Sequence, residues 1–149
     1  MEEDEFRKTY RNLVEFPCPF EKAILSNHCQ CQNVQRMHIA ERHAAGCNSE
    51  KAQAHCILLM ATLRDKAKFS LRLSSITGLL PHGKELKVQV GGLQGIAQAV
   101  DDSQYDLTNI FALVIAGLQK FGSLDNLPYQ IIIQAIAKFE GRPKRGKKT

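Results

Sequence analysis

The chain has 149 residues, of which 44% are apolar and 23% are charged, and its formal net charge is +5. This composition is typical of a globular domain and excludes wholesale disorder. No apolar run approaches the roughly 20 residues that a membrane-spanning helix needs, and the acidic first residues, MEEDE, differ from the basic start of a signal peptide. We therefore expect a cytoplasmic protein with no membrane segment.

The excess positive charge is concentrated at the C-terminal end. Five of the 20 Lys and Arg residues lie in residues 142–149, which contain no acid, so residues 1–141 carry 15 charges of each sign. We expect residues 1–141 to form a single folded domain and residues 142–149 to form a disordered basic tail. A nucleic-acid-binding domain usually carries its basic residues on the folded body, so nucleic-acid binding through the tail is not favoured.

Apolar periodicity predicts five main helices and little sheet. In chain order they span residues 3–15, 33–45, 50–73, 105–121 and 128–139, with a short helical turn between Pro19 and Leu25. Asn48 or Ser49 is the predicted N-cap of the third helix, and Gly122 is the predicted end of the fourth. The predicted buried stripe of the third helix consists of Ala52, Cys56, Leu59, Met60, Leu63 and Ala67.

Two stretches lack the helical pattern. Residues 26–32 are polar and are predicted to form a loop, whereas residues 85–90, ELKVQV, alternate like a short strand or an extended segment. Gly91-Gly92 is interpreted as a flexible turn after that segment. The predicted fold is therefore a single, mainly α domain of about five helices. Its cysteine-bearing half covers residues 1–73, and an aliphatic helical half covers residues 93–141.

All five cysteines lie within 39 residues, at Cys18, Cys29, Cys31, Cys47 and Cys56. An odd number of cysteines without a secretion signal argues against a disulfide framework. Cys56 fits the apolar stripe of a helix, where a thiol packs as a small apolar group. The other four fall in predicted loops or turns. Loop thiols this close in sequence, in a reducing compartment, favour a metal or cluster site over scattered structural thiols.

The cysteine spacing favours a [4Fe–4S] cluster over zinc. Structural zinc sites usually contain two C-x(2–4)-C pairs, and this chain has one close pair, Cys29 and Cys31, separated by a single residue. Iron–sulfur clusters accept thiolates at wider and more varied spacings. Four thiolates are expected to bind the cluster, and two of the five cysteines compete for the fourth place.

The predicted ligands are Cys18, Cys47 and Cys56, together with either Cys29 or Cys31. Two histidines each precede one of these cysteines in the sequence, so His28 or His55 is an alternative nitrogen ligand. The predicted contribution of Cys56 requires the loop that carries Cys29 and Cys31 to lie against the third helix.

Other patterns of histidine and basic residues in the sequence indicate a function less specifically than the cysteines do. His38 and His43, in the segment HIAERH, do not form the HExxH zinc motif and fall on different faces of the predicted helix. Arg64, Lys68 and Arg72 recur along one helix face and, with the basic tail, offer a surface for an acidic protein or a phosphate backbone. Nucleic-acid binding is not favoured, because few aromatic residues are present to stack on bases.

We therefore predict a small, cytoplasmic, mainly helical iron–sulfur protein that is not itself an enzyme. Its [4Fe–4S] cluster is expected to transfer single electrons to a partner protein or to sense oxidant or iron. The alternative is a zinc-stabilised helical module that binds a protein or a nucleic acid. A third class is a helical adaptor without any metal.

Overall fold

The computed structural model describes residues 2–71, 80–101 and 107–140. This described part consists mainly of α-helices with one two-stranded sheet, which confirms the predicted fold class. The helices are α1 (Glu3–Leu13), α2 (Glu21–Leu25), α3 (Glu50–Ala67), α4 (His82–Val100), α5 (Ile110–Phe121) and α6 (Tyr129–Lys138), and the strands are β1 (Val34–Ile39) and β2 (Arg42–Cys47). A 3-10 turn, Leu124–Asn126, joins α5 to α6. None of the described helices combines the length and the apolarity of a membrane-spanning segment.

Four of the five predicted main helices are present, as α1, α3, α5 and α6. Ser49 caps α3, because its hydroxyl oxygen accepts a hydrogen bond of 3.2 Å from the backbone N–H of Ala52. The buried residues of α3 are the six that its periodicity predicts. Gly122 ends α5 with a φ of 91°, a conformation that favours glycine. Residues 72–73, residues 105–106 and the basic tail lie outside the described residues.

The predicted helix over residues 33–45 is wrong, because this segment forms a β-hairpin. The antiparallel register runs from Val34 opposite Cys47 to Ile39 opposite Arg42. The turn includes Ala40, whose φ is 56°. The helical pattern rested on a few weakly apolar positions, and it is overridden here by backbone pairing and by packing against α1. The β-branched ends of β1 also favour an extended backbone.

The extended segment predicted at residues 85–90 is wrong as well, because these residues form the first half of α4. This helix lies between α2, α3, α5 and α6, and ten of its residues are buried. A helix that is covered on most sides has no continuous polar face, so its sequence carries no clear helical stripe. The alternation in ELKVQV therefore did not indicate a strand.

Gly91 and Gly95 lie where α4 meets α6. A Cβ atom on Gly91 would stand 2.6 Å from the Cα of Ile136, and one on Gly95 would stand 2.6 Å from the Cα of Ile132. These distances show that the two helix backbones touch at the glycines, which is the close approach that small residues permit. The interpretation of Gly91-Gly92 as a flexible turn is therefore wrong.

A buried ion pair joins α3 to α4. Glu85 is only 6% exposed. The two oxygens of its carboxylate accept hydrogen bonds of 2.7 and 3.2 Å from Nε of Arg64. Nothing in the apolar pattern of the sequence indicated that Arg64 stabilises the fold. Its guanidinium compensates a charge that would otherwise be costly to bury.

Replacing Arg64 with alanine is expected to destabilise the protein by about 2 to 4 kcal/mol, because the Glu85 carboxylate would remain buried without its partner. Urea unfolding followed by circular dichroism measures the change. The double variant Arg64→Met, Glu85→Leu should recover most of the loss, since it removes both charges. Lys66→Ala, at an exposed position, is the matched control. Equal stability of Arg64→Ala and Lys66→Ala would contradict this role of the ion pair.

Candidate metal centre

The segment that precedes α2 pairs with the hairpin and brings Cys18 next to the end of β2. Residues 16–18 form an antiparallel bridge with β2. The backbone N–H of Cys18 donates to the carbonyl of Ala45 at 3.1 Å, and that of Cys47 donates to the carbonyl of Phe16 at 2.6 Å. Neighbouring strands lie about 4.8 Å apart. Cys18 and Cys47 therefore lie on adjacent extended segments, close to each other.

Cys31 reaches the same end of the hairpin through the turn before β1. Its carbonyl accepts a hydrogen bond of 3.2 Å from the N–H of Val34, and Val34 lies opposite Cys47 in the hairpin register. The N–H of Asn48 donates to the carbonyl of Asn33 at 2.9 Å, which holds the open end of the hairpin together. These bonds fix the backbone of Cys31 close to that of Cys47.

Cys56 comes to this region from α3, which begins at Glu50 directly after the hairpin. The side-chain amide of Gln53 donates to the carbonyl of Pro17 at 3.0 Å, so the first turns of α3 lie against the segment that carries Cys18. Cys56 follows Gln53 by three residues and is therefore about one helical turn further along. It is 7% exposed and belongs to the main core.

The thiols of Cys18, Cys31, Cys47 and Cys56, here called the thiol quartet, lie within electrostatic reach of one another. Burial raises the pKa of Cys18 to about 12. A hydrogen bond from the backbone N–H of Phe20 opposes this rise in pKa, and negative charge on Cys31 and Cys47 adds to it. Burial also raises the pKa of Cys56 to about 12, and charge on the other three thiols adds to the rise. A bound cation would reverse this effect, because metals bind the thiolate form.

Cys29 shares the main core with Cys56 but has no electrostatic interaction with a quartet thiol among the causes of its raised pKa. It is 2% exposed within the main core, and burial is the cause that raises its pKa to about 12. It lines a cavity of about 390 Å³ together with His28 and Gln94, whereas Cys47 lines a different cavity of about 280 Å³ near the end of α1. Of the two cysteines that competed for the fourth place, the structure groups Cys31 with the other three.

The histidines occupy other positions. His28, an alternative ligand by sequence, shares a hydrogen bond of 2.7 Å with the hydroxyl of Ser26, and His55 is exposed on α3. His38 and His43 were expected on different faces of a helix. They lie opposite each other in the hairpin instead, with ring centroids 4.2 Å apart.

Glu21 is a positioning residue that sequence reasoning missed. One oxygen of its carboxylate accepts hydrogen bonds from the hydroxyl of Tyr10 at 3.0 Å and from the N–H of Ala45 at 2.8 Å. It thereby links α1 to β2 beside Cys18, and its charge contributes to the raised pKa of that thiol. The only signal in the sequence was an acid in the first turn of a short helix, which is common at helix starts.

Within the described residues, no three or more His, Cys, Asp or Glu side chains are arranged to hold a metal ion. A tetrahedral zinc ion with Zn–S bonds of about 2.3 Å needs its four sulfurs at about 3.8 Å from one another. In a [4Fe–4S] cluster each thiolate binds a different iron, so the sulfurs stand further apart. The choice between a cluster and zinc stays a prediction.

The basic residues expected to form a surface patch are partly engaged within the fold. Arg64 pairs with Glu85, and Nζ of Lys68 lies 3.5 Å from a carboxylate oxygen of Asp65. Arg72 and the basic tail lie outside the described residues. Binding of nucleic acid or of an acidic partner through these residues stays a prediction.

No protein-family model matches the chain, and no curated protein or solved structure is significantly similar to it. The roles of the site residues are therefore inferred from their chemistry and geometry alone.

The raised thiol pKa values predict that the metal-free protein loses stability at high pH. Below about pH 9 the buried thiols are protonated in both the folded and the unfolded chain, so their contribution to stability is fully present. Between pH 9 and 12 the unfolded chain releases these protons while folded Cys29 and Cys56, with pKa values of about 12, retain them. The free energy of unfolding should then fall by up to about 1.4 kcal/mol per pH unit for each thiol.

Urea unfolding of chelator-treated protein at several pH values between 8 and 11 measures this slope. Cys29→Ala is the matched control, because it has one buried thiol fewer and keeps every lysine and tyrosine. Its slope should be shallower than that of the wild-type chain. Identical slopes for the two proteins would contradict the raised pKa of Cys29.

Proposed function

We propose that this chain is a small cytoplasmic iron–sulfur protein that holds one [4Fe–4S] cluster on Cys18, Cys31, Cys47 and Cys56. It is a single-electron carrier for a partner protein or a sensor of oxidant or iron, and it is not an enzyme. The proposal rests on the convergence of four thiols from four parts of the chain: the strand segment at residues 16–18, the turn before β1, the end of β2 and the inner face of α3.

The grouping itself supports a cofactor. Packing as small apolar groups does not by itself explain why four thiols from separate parts of the chain lie within electrostatic reach of one another. Cys29 shows the ordinary alternative, because it is 2% exposed in the core and no other thiol contributes to its raised pKa. A cationic cofactor would bind the thiolate forms of the quartet and so couple folding of the cysteine-bearing half to cofactor uptake.

The surroundings of the quartet suit electron exchange. Cys56 faces the core, whereas Cys18, Cys31 and Cys47 are half-buried, so a cofactor held here has one protected side and one side near solvent. When bound, a [4Fe–4S] cluster supplies a one-electron couple whose potential depends on hydrogen bonds to sulfur and on solvent exposure. In this chain the N–H of Phe20 donates to the sulfur of Cys18, and the carboxylate of Glu21 lies nearby.

A reductive titration of anaerobically purified protein, followed by absorption and electron paramagnetic resonance, tests this function. We expect broad absorption near 400 nm that bleaches on uptake of about one electron per chain and returns on reoxidation. A cluster that survives many cycles supports electron transfer, and one that air or iron chelation removes supports sensing. A colourless protein that contains zinc would support the zinc-stabilised interaction module instead.

A further inference from the structure

Helix α3 is apolar on two opposite sides. Its inner side contains Cys56 and packs into the core. On its outer side Ile57 is 48% exposed and Leu58 is 60% exposed, and Ala54 and Ala61 are exposed beside them. Four neighbouring apolar residues on the solvent side of one helix form a surface that a solitary domain does not need.

The exposed residues of this side follow a heptad spacing. The residues that repeat at alternating steps of three and four are Lys51, Ala54, Leu58, Ala61 and Asp65; they are called the outer face of α3 below. This spacing is typical of a helix that packs along a second helix. The two alanines are small enough to let a partner helix approach closely.

The charges on the outer face of α3 are complementary to those on the outer face of a second copy when the two helices are placed antiparallel. With Leu58 at the centre, Lys51 of one copy faces Asp65 of the other, because both lie seven residues from Leu58 in opposite directions. This contact occurs twice in a two-fold symmetric pair, so two attractive pairs flank an apolar centre.

We propose that the chain forms an antiparallel homodimer in which the outer faces of α3 from two copies pack against each other, with Leu58 at the two-fold axis. The thiol quartet lies on the inner side of α3, so dimerisation leaves it uncovered and does not depend on the cofactor. One helix pair makes a small interface, and a dissociation constant in the micromolar range is expected.

Sedimentation equilibrium of the full chain at about 1 to 300 µM tests the dimer. The wild-type chain should shift from monomer to dimer across this range, and Leu58→Asp should stay monomeric at the highest concentration. Leu58 is 60% exposed, so this change spares the core, and a far-UV spectrum and melting curve equal to those of the wild-type chain confirm folding.

Charge reversals test the orientation. Lys51→Glu and Asp65→Lys should each raise the dissociation constant roughly tenfold or more, because each reversal places like charges together twice. The double variant Lys51→Glu, Asp65→Lys should return close to the wild-type value. Lys8→Glu, an exposed position on α1, is the control and should have little effect. A wild-type chain that stays monomeric, or a double variant weaker than either single one, would overturn the proposal.

Discussion

Replacing Cys31 with alanine should abolish iron binding, whereas replacing Cys29 with alanine should leave the iron content of the purified protein unchanged. The two cysteines are separated by one residue, yet Cys31 lies in the turn before β1 close to Cys47, whereas Cys29 is buried in the core and lines a different cavity. Loss of one of the four thiolates would leave one iron atom of the cluster without its protein ligand. Alanine is the better substitution here, because a serine oxygen is itself able to bind iron.

The same pair of variants separates binding from stability. Cys29 is 2% exposed, so Cys29→Ala should lower the free energy of unfolding by about 1 kcal/mol through the lost packing while iron is retained. The variants of Cys18, Cys47 and Cys56 should behave like Cys31→Ala in a colorimetric iron assay. Full iron in Cys31→Ala, or loss of iron in Cys29→Ala, would contradict the ligand set.

Introducing alanine at both Gly91 and Gly95 should destabilise the protein by about 4 kcal/mol, since overpacking costs about 1 to 3 kcal/mol at each site and at times more. Each new Cβ would stand 2.6 Å from a backbone Cα atom of α6, which has no flexible side chain to move aside. The helices must separate, and the surrounding core is then less well packed. Thermal and urea unfolding measure the loss.

Gly83 supplies the matched control in the same helix. A Cβ at this position meets nothing within 4 Å, so Gly83→Ala should stabilise α4 by up to about 1 kcal/mol through its higher helix propensity. If Gly91→Ala, Gly95→Ala were as stable as Gly83→Ala, the close contact between α4 and α6 would be disproved.

Amphipathic helices with one buried face could be predicted from the sequence, because their apolar residues recur with the helical period. The buried residues of α3 and the end of α5 at Gly122 are the clearest cases. The outer face of α3 was not identified, since periodicity reports the apolar stripe that enters the core and does not exclude a second one.

The two failures of prediction have different physical causes. The hairpin at Val34–Cys47 is held by pairing of its two strands and is bridged to residues 16–18, which are far away in sequence, and local periodicity cannot report such pairing. Helix α4 is covered by its neighbours on most sides, so its sequence mixes apolar residues, glycines and buried polar residues such as Glu85 and Gln89. The glycines, interpreted as a turn, mark a helix contact.

The candidate site was predictable in composition and not in geometry. Cysteine spacing indicated a cofactor and left Cys29 and Cys31 equivalent. Their separation depends on the direction of the loop before β1, which is set by hydrogen bonds to the distant residues Leu107 and Ile110 through Gln30. Glu21 was missed for the same reason, since its partners Tyr10 and Ala45 come together only in the folded chain.

The most direct test of the central claim is the iron, zinc and acid-labile sulfide content of anaerobically purified protein, measured together with its visible spectrum. A [4Fe–4S] cluster on the thiol quartet predicts about four iron and about four sulfide per chain, with broad absorption near 400 nm. One zinc per chain without sulfide, or a stably folded protein that contains no metal, would contradict it.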